Sequence, residues 1–457
     1  MSRFVLGCDA LFDGIGWHTP GLIEIEAGLV RRVAAGADGV TERVPGVLLP
    51  GIPNLHSHAF QRAFAGLAEQ SEGNGKDSFW SWRGAMYRLA ERLDPDAVEA
   101  IAEQVFLEML EAGYTSVAEF HYVHHAADGS PYGDLAELGR RVAAAARSVG
   151  IRLTLLPVFY EAAGFGPKPI EVAQRRFYNS PERYLQLWQA LRSECDSLVS
   201  LGAAPHSLRA APLGSLNAVV REVKRSLPEA PIHIHIAEQL REVDECVSHH
   251  GRRPVELLLE SASVDKTWCL VHATHLSATE QAELGRSGVV AGLCPTTEAN
   301  LGDGIFPLGN YRAHAGRWGV GSDSQITLDP AQELRLLEYT QRLTQHARNT
   351  VLSGDQPEHT GTRLLAEALL GGAQALGSPL GRLLPGCPAD LVCLDPEHPS
   401  LLGRAHEAQV DSWIFASNRP AIARVMVNGT WRVSAGRHAR RETVQRRFAA
   451  CLKRLGF

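Results

Sequence analysis

Hydrophobic and polar positions along the chain fall into three regimes. Residues 4 to 48 alternate short apolar runs with turn residues, as in GLIEIEAGLVRRVAAG, which predicts short antiparallel strands. The C-terminal stretch behaves alike: GCPADLVCLD and IARVMVNGTWRVSAGRH (422 to 438) read as strands, with a hairpin turn at Asn428-Gly429. Between these ends, β-rich runs alternate with longer helical patterns such as PDAVEAIAEQVFLEMLEAG, the signature of parallel βα units. Eight strands are predicted there: VLLPG (47 to 51), TSVAEF (115 to 120), RLTLLPVF (152 to 159), SLGAAP (200 to 205), IHIHIA (232 to 237), WCLVHA (268 to 273), VVAGLCP (289 to 295) and WGVGSD (318 to 323).

Eight βα units fit a barrel whose active site lies at the carboxyl ends of its strands. Chemically capable residues do gather there. His56 and His58 follow the first strand, Glu119 and His121 sit at the second, and His206 follows the fourth. His235, His272 and Asp323 end the fifth, sixth and eighth. A doubly wound open sheet is the alternative, but no G-x-G-x-x-G follows the early strands. At 457 residues the chain exceeds the size at which single cores stop growing, so one large domain with a smaller one is expected.

Composition narrows the partners. Lys+Arg number 45 against 51 Asp+Glu, the pI is near 6.3, and no basic run occurs. Nothing electrostatic calls for nucleic acid or a membrane surface, and a small soluble substrate is expected. Asp9 and Asp13 interrupt what would be a signal peptide's apolar stretch, and no membrane-length apolar run follows, so a cytoplasmic protein is expected. The eight cysteines are scattered without a CxxC, which reads as buried thiols.

In an extended HSH, residues i and i+2 face the same side, so His56 and His58 point at one place while Ser57 faces away. Imidazole suits zinc, nickel or iron, and a catalytic zinc takes about three protein ligands. His235 and Asp323 are the best-placed further ligands. An HxH alone arises readily by chance. Its conjunction with H-x-x-E at strand five, His at strand six and S-D at strand eight, in that order, carries the reading.

PNLHSHAFQR, HIHIAEQ, VHATH, GVGSDS and the late GCPADLVCLD resemble the metal-dependent amidohydrolase superfamily, in its aminohydrolase (deaminase) branch. Within that branch, HAFQRAFAGLAE, DSFWSWRGAMYRL and AEFHYVHH resemble the formimidoylglutamate deiminases. The resemblance implies a distorted (β/α)8 barrel, residues 48–384, with a small β-sandwich built from residues 1–47 and 385–457. It implies one zinc, or Fe2+ or another divalent ion, held by His56, His58, His235 and Asp323. Members with two metals carry a bridging carboxylated lysine, yet FYEAAG and PHSLR hold none in register and Lys168 lies further along a loop. Glu238 is then the candidate proton shuttle, and His272 polarises the attacked group or stabilises the tetrahedral intermediate. Asp323, besides ligating, takes the water's proton. Arg83 and Arg209 match positions that grip the two carboxylates of the substrate, with Gln61, Tyr122 and His206 adding hydrogen bonds. The expected reaction is hydrolysis of N-formimidoyl-L-glutamate to N-formyl-L-glutamate and ammonia, by a homodimer. A purine-type aminohydrolase is the rival, and a noncatalytic barrel is disfavoured because every expected position is filled. His121, His124 and His125 read as loop residues away from the metal, His249-His250 as a solvated helix end, and His233 as a lining of the barrel core.

Overall fold

The computed structural model describes residues 3–70, 78–166, 168–354 and 357–457. Its central strands are β1 (Ile52–Ser57), β2 (Tyr114–His121), β3 (Arg152–Phe159), β4 (Val199–Leu201, resumed at Ala204–Pro205), β5 (Ile232–Ile236), β6 (Trp268–His272), β7 (Val290–Leu293) and β8 (Arg317–Val320). Strands β1 to β4 and β5 to β8 form two sheets in sequential order, every pair parallel. Two parallel bridges, Ala203 to Ile232 and Ser57 to Asp323, join the sheets at both seams. The result is a distorted (β/α)8 barrel, and its strands are buried along almost their whole length.

Seven of the eight predicted strands lie where the pattern put them, within a few residues at their ends. The first does not. Val47–Pro50 pairs antiparallel with Leu391–Leu394 and parallel with Ala10–Phe12, in a seven-stranded sheet shared by both ends of the chain. The barrel strand begins only at Ile52, so His56 lies inside β1 and not beyond it. The apolar run VLLPGIPNL is buried throughout, and periodicity cannot show a chain leaving one sheet for another in mid-run. Gly51 makes that step because a Cβ there would stand 2.2 Å from Thr115 Oγ1. The fourth strand also differs, being split around Gly202, where a Cβ would stand 2.6 Å from both Leu156 Cδ2 and Pro231 O.

A four-stranded sheet (Arg3–Cys8, Gly21–Glu26, Leu29–Ala35, Glu42–Arg43) packs on the seven-stranded one around Leu6, Leu11, Ile23, Ile25, Leu48, Leu391 and Met426. The predicted hairpin is present: Ile422–Val427 and Thr430–Ser434 run antiparallel around Asn428 (φ 52°) and Gly429 (φ 72°), both left-handed as a tight hairpin turn requires. The helical pattern after Pro95 forms helix Pro95–Ala112. Asp94 caps it by accepting from Ala97 N–H at 2.7 Å, and Gly113 ends it at φ 105°. Among the described residues, no helix is long and apolar enough to cross a membrane. Six of the eight cysteines are buried and all are free, while Cys195 is exposed and Cys387 half-buried.

Helix Thr360–Ala375 ties the barrel together. Gly371 rests on β8 so closely that a Cβ would lie 1.8 Å from Trp318 O, and Gly372 meets Pro53 of β1. At its end, the carbonyls of Ala375 and Leu376 accept from His233 Nε2 (2.8 Å) and Thr154 Oγ1 (3.2 Å) inside the barrel. His233 is thus a buried core residue, as expected. Gly371→Ala forces helix and strand apart. It should cost about 3 kcal/mol, the upper end for overpacking, read as a lowered midpoint in urea or thermal denaturation.

Candidate metal centre and substrate pocket

At the carboxyl end of the barrel, β1, β5 and the turn after β8 bring four ligand atoms to one place. His56 Nε2 lies 3.1 Å from His58 Nε2 and 3.0 Å from His235 Nε2. Asp323 Oδ1 stands 3.5 Å from His56 Nε2 and 3.3 Å from His58 Nε2. The far nitrogens fix which atoms face inward: His58 Nδ1 lies 2.9 Å from Phe120 O, and His235 Nδ1 lies 3.2 Å from His206 O. Donation to those carbonyls leaves the Nε2 lone pairs directed at one another. Lone pairs this close repel unless a cation lies among them, so the donor set fits a borderline divalent ion such as zinc. Burial lowers the pKa of all three imidazoles, His56 to about 3, which keeps them in the neutral, ligating form. Burial alone would raise Asp323, but the surrounding imidazoles of His56, His58 and His272 hold it well below the usual carboxylate range.

The backbone under these ligands is held by a buried chain of hydrogen bonds. Ser57, facing away from its histidine neighbours, donates to Glu119 Oε2 at 2.5 Å and accepts from Gln325 Nε2 at 2.8 Å. Glu119 Oε1 accepts from Ala59 N–H, Gln325 Oε1 from Ser322 Oγ, and Ser322 Oγ from Asn54 Nδ2. Burial pushes the Glu119 carboxyl up to about 8 against these hydrogen bonds. His272 (φ 68°) and Asp323 (φ 45°) both adopt left-handed backbone, a strain sustained by their surroundings.

Glu238 and His272 adjoin the ligands. His272 Nε2 stands 3.8 Å from Glu238 Oε1 and 3.6 Å from Asp323 Oδ2, and its Nδ1 is held by Glu298 Oε1 at 3.2 Å. Burial pushes His272 down, but Glu238, Glu298 and Asp323 together carry it well above the ordinary range. Desolvation raises Glu238 to about 7, against the pull of His272. Glu238 is buried and precedes helix Leu240–His250 without capping it.

The remaining expected residues line the same pocket: Gln61, Arg83, Tyr122, His206 and Arg209, with Tyr87, Tyr160 and Phe177 between them. Gln61 Nε2 donates to Tyr122 Oη at 3.0 Å, and the Tyr122 hydroxyl meets Met86 Sδ at 3.3 Å. Arg83 projects from helix Phe79–Ala90 and Arg209 from the loop after β4. Among the described residues, no lysine lines the pocket.

Other expectations fare variously. His121 ends β2 and is not on the following loop, while His124 and His125 turn to the carbonyls of Val158 and Tyr178 at 2.9 Å each. None of the three joins the metal cluster. His249 and His250 are exposed at a helix end. The sequence reading missed Glu298. A carboxylate four residues after Cys294, at the catalytic end of β7, was the available signal.

The amidohydrolase family model matches residues 47–432. This chain belongs to the amidohydrolase family. It is 51% identical, over 96% of its length and 97% of the other's, to formimidoylglutamate deiminase of Pseudomonas aeruginosa. It is 27% identical to 8-oxoguanine deaminase of the same organism, over 93% of this chain and 92% of that protein. The crystal structure of an amidohydrolase from Brucella melitensis superposes with a TM-score of 0.93 at 43% identity, covering 99% of each chain. The protein is therefore a hydrolase of carbon–nitrogen bonds with a His-His-His-Asp metal-binding cluster. His58→Ala removes one donor from that cluster, so elemental analysis should find bound metal well below that of the parent at equal protein concentration.

Proposed function

We propose that this amidohydrolase hydrolyses N-formimidoyl-L-glutamate to N-formyl-L-glutamate and ammonia, a step of histidine breakdown. The observation that carries the reading is the placement of Arg83 and Arg209 in the same pocket as the metal-binding cluster. Neither makes an ion pair among the described residues, and Arg209 is buried with its Nε unpartnered. A desolvated guanidinium without a counter-ion favours an anionic ligand, and bidentate geometry suits a carboxylate. Two such groups match a substrate with two carboxylates, which a purine lacks. The similarity to the Pseudomonas aeruginosa deiminase along nearly the full chain supports the same choice.

In this reading His56, His58, His235 and Asp323 hold one ion per chain, zinc in preference to Fe2+ or another divalent metal. Such an ion, when bound, supplies Lewis acidity that lowers the pKa of water from 15.7 to roughly 7. Water replaces the imino nitrogen of the formimidoyl carbon, and that nitrogen leaves as ammonia. Glu238 moves the proton from water to the departing nitrogen, and a carboxyl near 7 both takes and gives protons at neutral pH. Asp323 shares in taking the water's proton. His272, held at Nδ1 by Glu298, polarises the attacked group and stabilises the tetrahedral intermediate. Arg83 and Arg209 grip the glutamate portion, which does not react, and convert its binding energy into orientation. Gln61, Tyr122 and His206 add hydrogen bonds. The enzyme acts in the cytoplasm as a homodimer.

Ammonia release from a panel of N-formimidoyl-L-glutamate, guanine, 8-oxoguanine and S-adenosylhomocysteine tests the assignment. Turnover is expected with the first. Robust release from a purine, with none from N-formimidoyl-L-glutamate, overturns it. Glu238→Gln keeps shape and metal ligands but removes the proton carrier, so kcat should fall about 10²- to 10⁴-fold at unchanged metal content. Arg209→Met should lower kcat/KM by about one to three orders of magnitude, the scale of a lost charged hydrogen bond and a stranded carboxylate.

A further inference from the structure

Helix Phe79–Ala90 carries another side chain to the cationic wall of the pocket. The Trp80 ring lies within cation–π range of three guanidinium groups: 4.5 Å from Arg83 Cζ, 5.7 Å from Arg209 Cζ and 4.3 Å from Arg241 Cζ. These arginines come from three parts of the chain: the same helix, the loop after β4, and helix Leu240–His250 that follows β5 and Glu238.

The three differ in how their charge is offset. Arg241 is paired with Glu245 at 2.7 Å and is exposed. Arg83 and Arg209 make no ion pair among the described residues, and Glu242 and Glu238 act on Arg209 only through space. Burial depresses His206 first, and both unpaired cations, Arg209 and Arg83, depress it further, so they share one electrostatic neighbourhood. Two like charges on a partly desolvated wall repel, and each gains by moving apart toward water. Arg83 has a second aromatic neighbour, Tyr87 at 5.5 Å. Among the described residues, Trp80 is the one ring in range of both.

We propose that Trp80 is a positioning residue for substrate recognition: its indole, clasped by the already neutralised Arg241, holds Arg83 and Arg209 together to receive the two carboxylates of one ligand. This rests on the reading of the pocket as a dicarboxylate site. Among the described residues, the Trp80 ring meets Phe79 and the three guanidinium groups and does not line the pocket that holds the cluster and Glu238, so its loss acts on binding and leaves the chemical step intact. Phenylalanine keeps a cation-binding face; leucine removes it.

The test is steady-state kinetics of full-length, metal-loaded protein with N-formimidoyl-L-glutamate, together with inhibition by glutarate, an unreactive dicarboxylate. Trp80→Leu should raise KM and the glutarate inhibition constant in parallel, each by about 10-fold or more, the scale of two partly exposed cation–π contacts. Its kcat should stay within about 3-fold and its metal content unchanged, and Trp80→Phe should recover most of the affinity. Acetate, a monocarboxylate, should discriminate little between parent and variant. A fall in kcat at unchanged KM, or unchanged glutarate inhibition in soluble Trp80→Leu, overturns the proposal. If Trp80→Leu does not fold, Trp80→Phe against Trp80→Met supplies the same comparison. A parent protein that releases no ammonia from N-formimidoyl-L-glutamate removes the substrate assignment, and glutarate affinity, measured by calorimetry, then decides the role of Trp80 by itself.

Discussion

Three imidazole nitrogens and a carboxylate facing one another across 3.0 to 3.5 Å form the arrangement on which the rest of this structure depends. Neutral lone pairs do not gather at that distance by themselves. The protein holds them there with carbonyls behind His58 and His235 and with left-handed backbone at Asp323. Burial keeps the ligand histidines neutral, while Asp323 stays ionised among them. Ligand chemistry and core chemistry are here one set of constraints.

The cluster is also a seam of the fold. Barrel closure between β1 and β8 runs through the bridge of Ser57 to Asp323, flanked by hydrogen bonds from Asp323 N–H to His56 O and from His58 N–H to Asp323 O. Ser57 fills the position between two ligands with a hydroxyl that ties Glu119 of β2 to Gln325 beyond β8. Disturbing the seam moves ligands, and removing a cation from the ligands loads the seam with repulsion. Such coupling is what places catalytic groups at strand ends of a packed barrel, where backbone position is least free to drift.

Away from the metal cluster, the pocket changes sign. Carboxylates and imidazoles give way to Arg83 and Arg209, spaced by aromatic side chains. A site that must orient an anion over a polar reaction centre needs this separation, because binding energy taken from the inert end of a substrate is available for positioning the reactive end.

Much of this was legible in the chain alone. The alternation of β-rich and helical runs determined eight βα units, and the parity of His56 and His58 determined that both side chains face one way. His235, Glu238, His272 and Asp323 stood out because strand ends are recognisable and carboxyl ends of barrel strands carry chemistry. What the chain could not show was where an unbroken buried run changes sheets. Val47–Pro50 and Ile52–Ser57 are equally buried, and the chain passes from one sheet to the other at Gly51, packed close against Thr115. Nor could it show partners distant in sequence. Glu119 behind Ser57, Glu298 behind His272 and Trp80 among three arginines are ordinary residues in their local context. Their meaning comes from contacts across tens to hundreds of positions, which periodicity does not encode and only tertiary packing decides.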